Sequence, residues 1–213
     1  FSPVDVIEIY TRPSRVKENG FIVTKEALSE RELMDFDGVG TLEAFNTDGL
    51  RSVLFTLPHI PNMKEKTLRY PGHIDLIIAL QRSGFFSQET TNINGAPITP
   101  LQFTSSLLFK EWKLQPDEEE LTVMKVIVKG TANGAPKTVE YNMLDRFDKT
   151  TQTSSMSRTT GYTCTAAVNA FAENLFSEKG VFPPELIGKH EAPFNYIMNY
   201  LAERNIQLKK NEY

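Results

Sequence analysis

The chain reads as an α/β (α+β) protein, a mixed β-sheet covered by helices, on three observations. Two strand–turn–helix units follow one another between Thr41 and Gly84. Two β-rich runs, 121–128 and 137–147, flank the turn-forming residues Gly130-Thr131-Ala132-Asn133-Gly134-Ala135 and predict a hairpin. Helical patterns then close the chain.

Residues 1–40 have little periodicity. Phe1 to Ile7 reads as a loop entering a short helix or strand, and the absence of an initiator methionine leads us to expect a piece of a longer polypeptide. Arg12-Pro13-Ser14-Arg15 and Glu18-Asn19-Gly20 mark turns around short extended pieces, of which Gly20–Val23 is the clearest. Asp35-Phe36-Asp37-Gly38-Val39-Gly40 is an acidic glycine loop that fails as a dinucleotide cradle. It has Glu43 where the third glycine belongs, and no hydrophobic strand precedes it.

Leu42–Phe45 is a short strand, and Asn46-Thr47-Asp48 is an N-cap cluster for a helix carrying Leu50, Val53, Leu54 and Leu57 until Pro58 stops it. Arg51 falls in that helix's first turn, where a cation is unfavourable unless an anion accompanies it. Lys64–Tyr70 is an alternating strand, and Pro71-Gly72 opens directly into the helix that begins near His73. Thr67 and Arg69 share a strand face, with His73 one turn beyond them, so a hydroxyl, a guanidinium and an imidazole meet at a helix start.

Residues 87–96 form a polar loop, and 98–112 a helix with Leu101, Ser105, Leu108 and Trp112 on one side. The charge run Pro116–Glu120 is a solvated turn. In the first hairpin strand Met124, Val126 and Val128 form a core face. Met156-Ser157-Arg158-Thr159-Thr160-Gly161-Tyr162 opens an alanine-rich helix in which Cys164 is packed, and a last amphipathic helix covers 193–204. We expect two parts, a mixed-sheet substrate and dimerisation domain over 1–150 and a helical segment over 151–213.

Three helix starts, around Arg51, Arg69 and Arg158, each join an arginine to a glycine and free helix N–H groups, a combination suited to a carboxylate or phosphate. The alternative at each is an arginine paired with a nearby Asp or Glu. His73 is a candidate general acid or base; His59, His190 and the lone Cys164 have no metal-ligand spacing, and no metal is expected. The net charge of −4 gives no basic face for nucleic acid. No apolar run approaches the ~20 residues of a membrane span, so neither nucleic acid nor membrane is an expected partner. The single cysteine makes a reducing, cytoplasmic setting the expectation.

Four stretches carry a family resemblance: Gly38–Arg51, Asn62–His73, Met143-Leu144-Asp145-Arg146-Phe147-Asp148 and Ser155–Thr163. Together with Phe1–Ile7 and Tyr10–Arg15, they resemble the C-terminal catalytic and dimerisation part of saccharopine dehydrogenase-like oxidoreductases, the group that includes lysine 6-dehydrogenase. The resemblance implies a C-terminal domain of the glyceraldehyde-3-phosphate dehydrogenase-like type, a homodimer, and NAD or NADP bound mainly by an N-terminal Rossmann domain that lies outside this chain. It implies a role in lysine metabolism, with hydride transfer at the C–N bond of an amino acid or secondary amine, and an isolated piece without turnover. In that reading Arg51, Arg69 and Arg158 anchor carboxylates, Thr67, Thr159 and Thr160 orient them, and His73 or Tyr70 handles protons. The alternatives are a non-catalytic binding or dimerisation module and a carboxynorspermidine synthase-like enzyme.

Overall fold

The computed structural model describes residues 3–115 and 118–213, and the chain forms two compact units, 1–114 and 115–213. The expected boundary at residue 150 is therefore moved to Leu114. The reason lies in packing: the 121–146 hairpin associates with the C-terminal helices, and Arg158 of those helices pairs with Asp145 of the hairpin.

In the first unit, helix α1 (Pro3–Thr11) buries Ile7 and Tyr10, three residues apart on one face. The hairpin β1 (Ser14–Glu18)–β2 (Phe21–Lys25) turns at Asn19-Gly20, both with positive φ, as a two-residue primed turn requires. Strands β3 (Glu32–Phe36), β4 (Gly40–Asn46) and β5 (Lys66–Arg69) form an antiparallel sheet with β4 in the centre. The glycine loop is thus the β3–β4 turn, joining two antiparallel strands where a dinucleotide fold would join a strand to a helix.

Helix α2 is only Val53–Thr56. The predicted longer helix fails because its proposed caps are engaged elsewhere: Asn46 ends β4, Thr47 bonds Glu65, and Asp48 holds Arg15. Helix α3 (His73–Arg82) packs Ile74 and Ile77 against Tyr10, Leu28 and Phe45. The predicted polar loop contains a small hairpin, β6 (Thr91–Ile93)–β7 (Ala96–Ile98), and α4 (Pro100–Trp112) completes the unit.

In the second unit β8 (Leu121–Ala132) and β9 (Ala135–Arg146) form the expected hairpin, extended by β10 (Leu208–Glu212), which sequence reading missed. Helix α5 (Ser155–Ala172) packs on α7 (Glu191–Ala202), with the short α6 (Pro184–Ile187) between them in sequence. Met143, Leu201 and Ile206 form a small core with Tyr162, Ile197 and Leu208 against it.

The fold is mixed α and β, as expected, but among the described residues its strands form four small antiparallel sheets instead of one mixed sheet. Two further expectations are corrected. Met124, Val126 and Val128 are all exposed, the valines at 42% and 54%, so their face is not core; among the described residues this ribbon is only three strands wide, with β8 at its edge. Cys164 is exposed on α5, whose buried side carries Ala166 and Ala170 instead. Of the charge run, Pro116 and Asp117 lie outside the described residues, as do Phe1 and Ser2.

Phe45 is fully buried at the centre of the first unit's core. Phe45→Ala should therefore lower unfolding free energy by about 3–5 kcal/mol, read from denaturant titration, whereas a loss under about 1 kcal/mol would mean that this core is not packed as described.

Candidate functional site

The β5–α3 junction is built by a tight turn. Pro71 and Gly72 occupy its middle, the His73 N–H donates to the Tyr70 carbonyl at 3.2 Å, and Gly72 takes φ 92°, which a side chain would disfavour. This turn ends β5 at Arg69 and starts α3 at His73.

Both side chains then reach the same atom. The Arg69 Nε–H donates to the Tyr10 hydroxyl at 3.1 Å, and the His73 Nε2 lies 3.0 Å from that hydroxyl. The guanidinium also stands 5.9 Å from the Tyr10 ring centre, and Trp112 closes edge-on to Tyr10 at 6.3 Å and beside His73 at 6.1 Å. Burial, then the Arg69 charge, hold the His73 pKa below its ordinary value, with a smaller opposing pull from Glu43.

Glu43 stands directly across the β4–β5 ladder from Arg69, so the two side chains share a face. One carboxylate oxygen of this buried residue accepts from Arg31 at 2.6 Å, and Arg31 also bonds Asp75 at 2.9 Å. The other oxygen, Oε2, is buried with no hydrogen-bond partner among the described residues.

Of the predicted residues, Thr67 follows Arg69 onto the same face but bonds Thr47 at 2.8 Å, next to Glu65, which accepts from Thr47 at 2.5 Å and from the Gly49 N–H at 3.1 Å. Tyr70 is 61% exposed, and the tyrosine that meets His73 is Tyr10. Arg51 precedes α2 in a left-handed turn (φ 48°) and is exposed, so it is not in a first helical turn.

The second unit holds Arg158, Thr159 and Thr160. Arg158 is buried, and all three of its nitrogens are engaged: with Asp145 at 3.2 and 3.3 Å, with Asp148 at 3.0 Å, and with the Arg204 carbonyl at 2.8 Å. It borders a cavity of about 590 Å³ together with Asp148, Thr150 and Asn205, but its charge is already matched there. Thr159 donates back to the Ser155 carbonyl of its own helix at 2.9 Å, and Thr160 is exposed. Arg158 thus follows the ion-pair alternative, tying α5 to β9 and to the segment after α7.

Sequence reasoning missed Tyr10, Glu43 and Trp112. Tyr10 had a signal, its spacing from Ile7 on one helical face. A carboxylate inside a strand had none.

Residues 1–206 match the family described as the saccharopine dehydrogenase C-terminal domain. The chain belongs to that family. The resemblance read from the motifs is thereby shown, and it sets this saccharopine dehydrogenase-family domain in an oxidoreductase context. The matched span includes both the Tyr10–Arg69–His73 cluster and the Arg158 cluster.

Arg158→Ala would leave Asp145 buried without its partner and should destabilise the protein by about 3–5 kcal/mol. Unchanged thermal stability would argue against the structural role. His73 supplies a pH dependence. Its folded pKa lies below the unfolded value near 6.5, so the unfolded chain binds more protons as pH falls below about 6.5. Stability present above that pH should decline until pH passes the folded value, and His73→Gln should flatten this part of a melting-temperature profile. An unaltered profile would remove the effect.

Proposed function

We propose that this domain serves a nicotinamide-dependent oxidoreductase acting at the C–N bond of an amino acid or secondary amine, and that the Tyr10–Arg69–His73 cluster with Glu43 receives the substrate. One observation carries the reading: Arg69, with no carboxylate in ion-pair reach among the described residues, stands across the sheet from Glu43, whose Oε2 is buried and unpartnered. A cation seeking an anion beside an acceptor seeking a donor suits a molecule bearing both a carboxylate and an amine. Arg69 would hold the carboxylate, Glu43 would accept from the amine, and His73 would hold or move a proton near the nitrogen.

The glycine loop of this chain does not fit a dinucleotide. The Gly38–Gly40 loop is a hairpin turn without a helix start behind it, so no backbone N–H cradle faces a pyrophosphate. In this proposal NAD or NADP is bound by another domain, and the present residues bind and orient the amine.

The test is turnover by the complete gene product with NAD and NADP, against lysine, saccharopine and a polyamine, followed by nicotinamide absorbance. Arg69→Ala should lower kcat/KM by about 10²-fold on a carboxylate-bearing substrate. Unchanged kinetics would remove Arg69 from the site, and no turnover with any of these amines would overturn the reaction class.

A further inference from the structure

The three groups around the Tyr10 hydroxyl differ in what they can exchange. A guanidinium only donates, a phenol donates one proton and accepts at its lone pairs, and each imidazole nitrogen does one or the other. Arg69 Nε–H points to the Tyr10 oxygen at 3.1 Å, so that oxygen is an acceptor there. Among the described residues the single Tyr10 proton has one remaining neighbour within hydrogen-bond distance, His73 Nε2 at 3.0 Å.

The opposite arrangement, with Nε2–H donating to Tyr10, would leave the Tyr10 proton without an acceptor. Tyr10 is 2% exposed, packed by Phe45, Leu28, Ile74 and Ile77, which leaves little surface through which water could supply one. A buried donor left unmade costs about 1–3 kcal/mol, enough to fix the direction of the chain.

We infer that Tyr10 is the positioning residue of His73: its hydroxyl, held by Arg69, donates to Nε2 and fixes the imidazole as the neutral Nδ1–H tautomer. The proton that His73 offers is then on Nδ1, and Nε2 is closed to any ligand. The charged groups around the imidazole agree with this: Arg69 on β5 is a like charge to imidazolium and has a larger effect than Glu43 on β4, which is held by Arg31, itself shared with Asp75 of α3. The tautomer itself follows from the hydrogen bonds alone. Only its use, a donor presented from Nδ1 to the substrate nitrogen or carboxylate, rests on the functional reading above.

The test is nitrogen NMR of the uniformly ¹⁵N-labelled chain. Long-range proton–nitrogen correlations distinguish protonated from unprotonated ring nitrogens for each histidine, and His73→Gln identifies the His73 set. At neutral pH, His73 should show a pyridine-like Nε2 and a pyrrole-like Nδ1. In Tyr10→Phe, which keeps the ring but removes the hydroxyl, the population should move toward Nε2–H, with circular dichroism confirming a folded chain. Arg69→Met provides a second variant: it keeps the Tyr10 donor, so the Nδ1–H tautomer should persist. An Nε2–H tautomer in the unaltered protein, or a Tyr10→Phe spectrum identical to it, overturns the inference. A merely structural tyrosine would alter stability without exchanging the roles of the two nitrogens, and the spectrum reads the site whether or not the proposed substrates are turned over.

Discussion

The first unit depends on where one buried hydroxyl can go. Tyr10 sits with its ring among Phe45, Leu28, Ile74 and Ile77, where an unpartnered phenol would be costly, and among the described residues its polar tip finds only Arg69 and His73. The same bond therefore fastens α1 to the end of β5 and to the start of α3. Core and candidate site are not separate layers in this unit. They are the two ends of one side chain, so whatever disturbs the packing of Tyr10 also moves the groups that would meet a substrate.

Local rules explain which parts could be read in advance. The β5–α3 junction was legible because Pro71-Gly72 dictates a turn and the isoleucines after it repeat at helical spacing. The long hairpin was legible for the same kind of reason, through Asn133-Gly134 between β-rich runs, and the same Asn-Gly signal at 94–95 marks the small hairpin within the polar segment. Strand β10 was not legible: Leu208-Lys209-Lys210-Asn211-Glu212 has no alternating apolar pattern and is a strand only because β9 offers it an edge. The exposure of Val126 and Val128 could not be read either, since alternation shows that residues share a face and not whether anything covers it.

Site residues followed the same division. The candidates His73 and Arg69 are readable together because a turn places them, whereas Tyr10 joins them from 63 and 59 residues away in sequence, a contact that only the tertiary fold creates. Arg158 shows the converse failure. At a helix start beside glycine and threonines it has the local equipment of an anion site, yet Asp145 and Asp148, 13 and 10 residues earlier, take its donors. Local sequence advertises a charge and does not reveal whether the fold has already answered it.

That difference separates the arginines chemically. Arg15 is answered by Asp48, Arg31 by Glu43 and Asp75, and Arg158 by two aspartates, but Arg69 meets a phenol and the Leu68 carbonyl, which are neutral. Among the described residues no carboxylate comes within ion-pair reach of it, and its charge, in a half-buried place, is after burial itself what depresses the protonation of His73. An anion that neutralises Arg69 removes that second cause while leaving the first. Anion occupancy at Arg69, if the proposed substrate site holds, would therefore be linked to His73 protonation, each favouring the other, because a free energy shared between two sites acts on both.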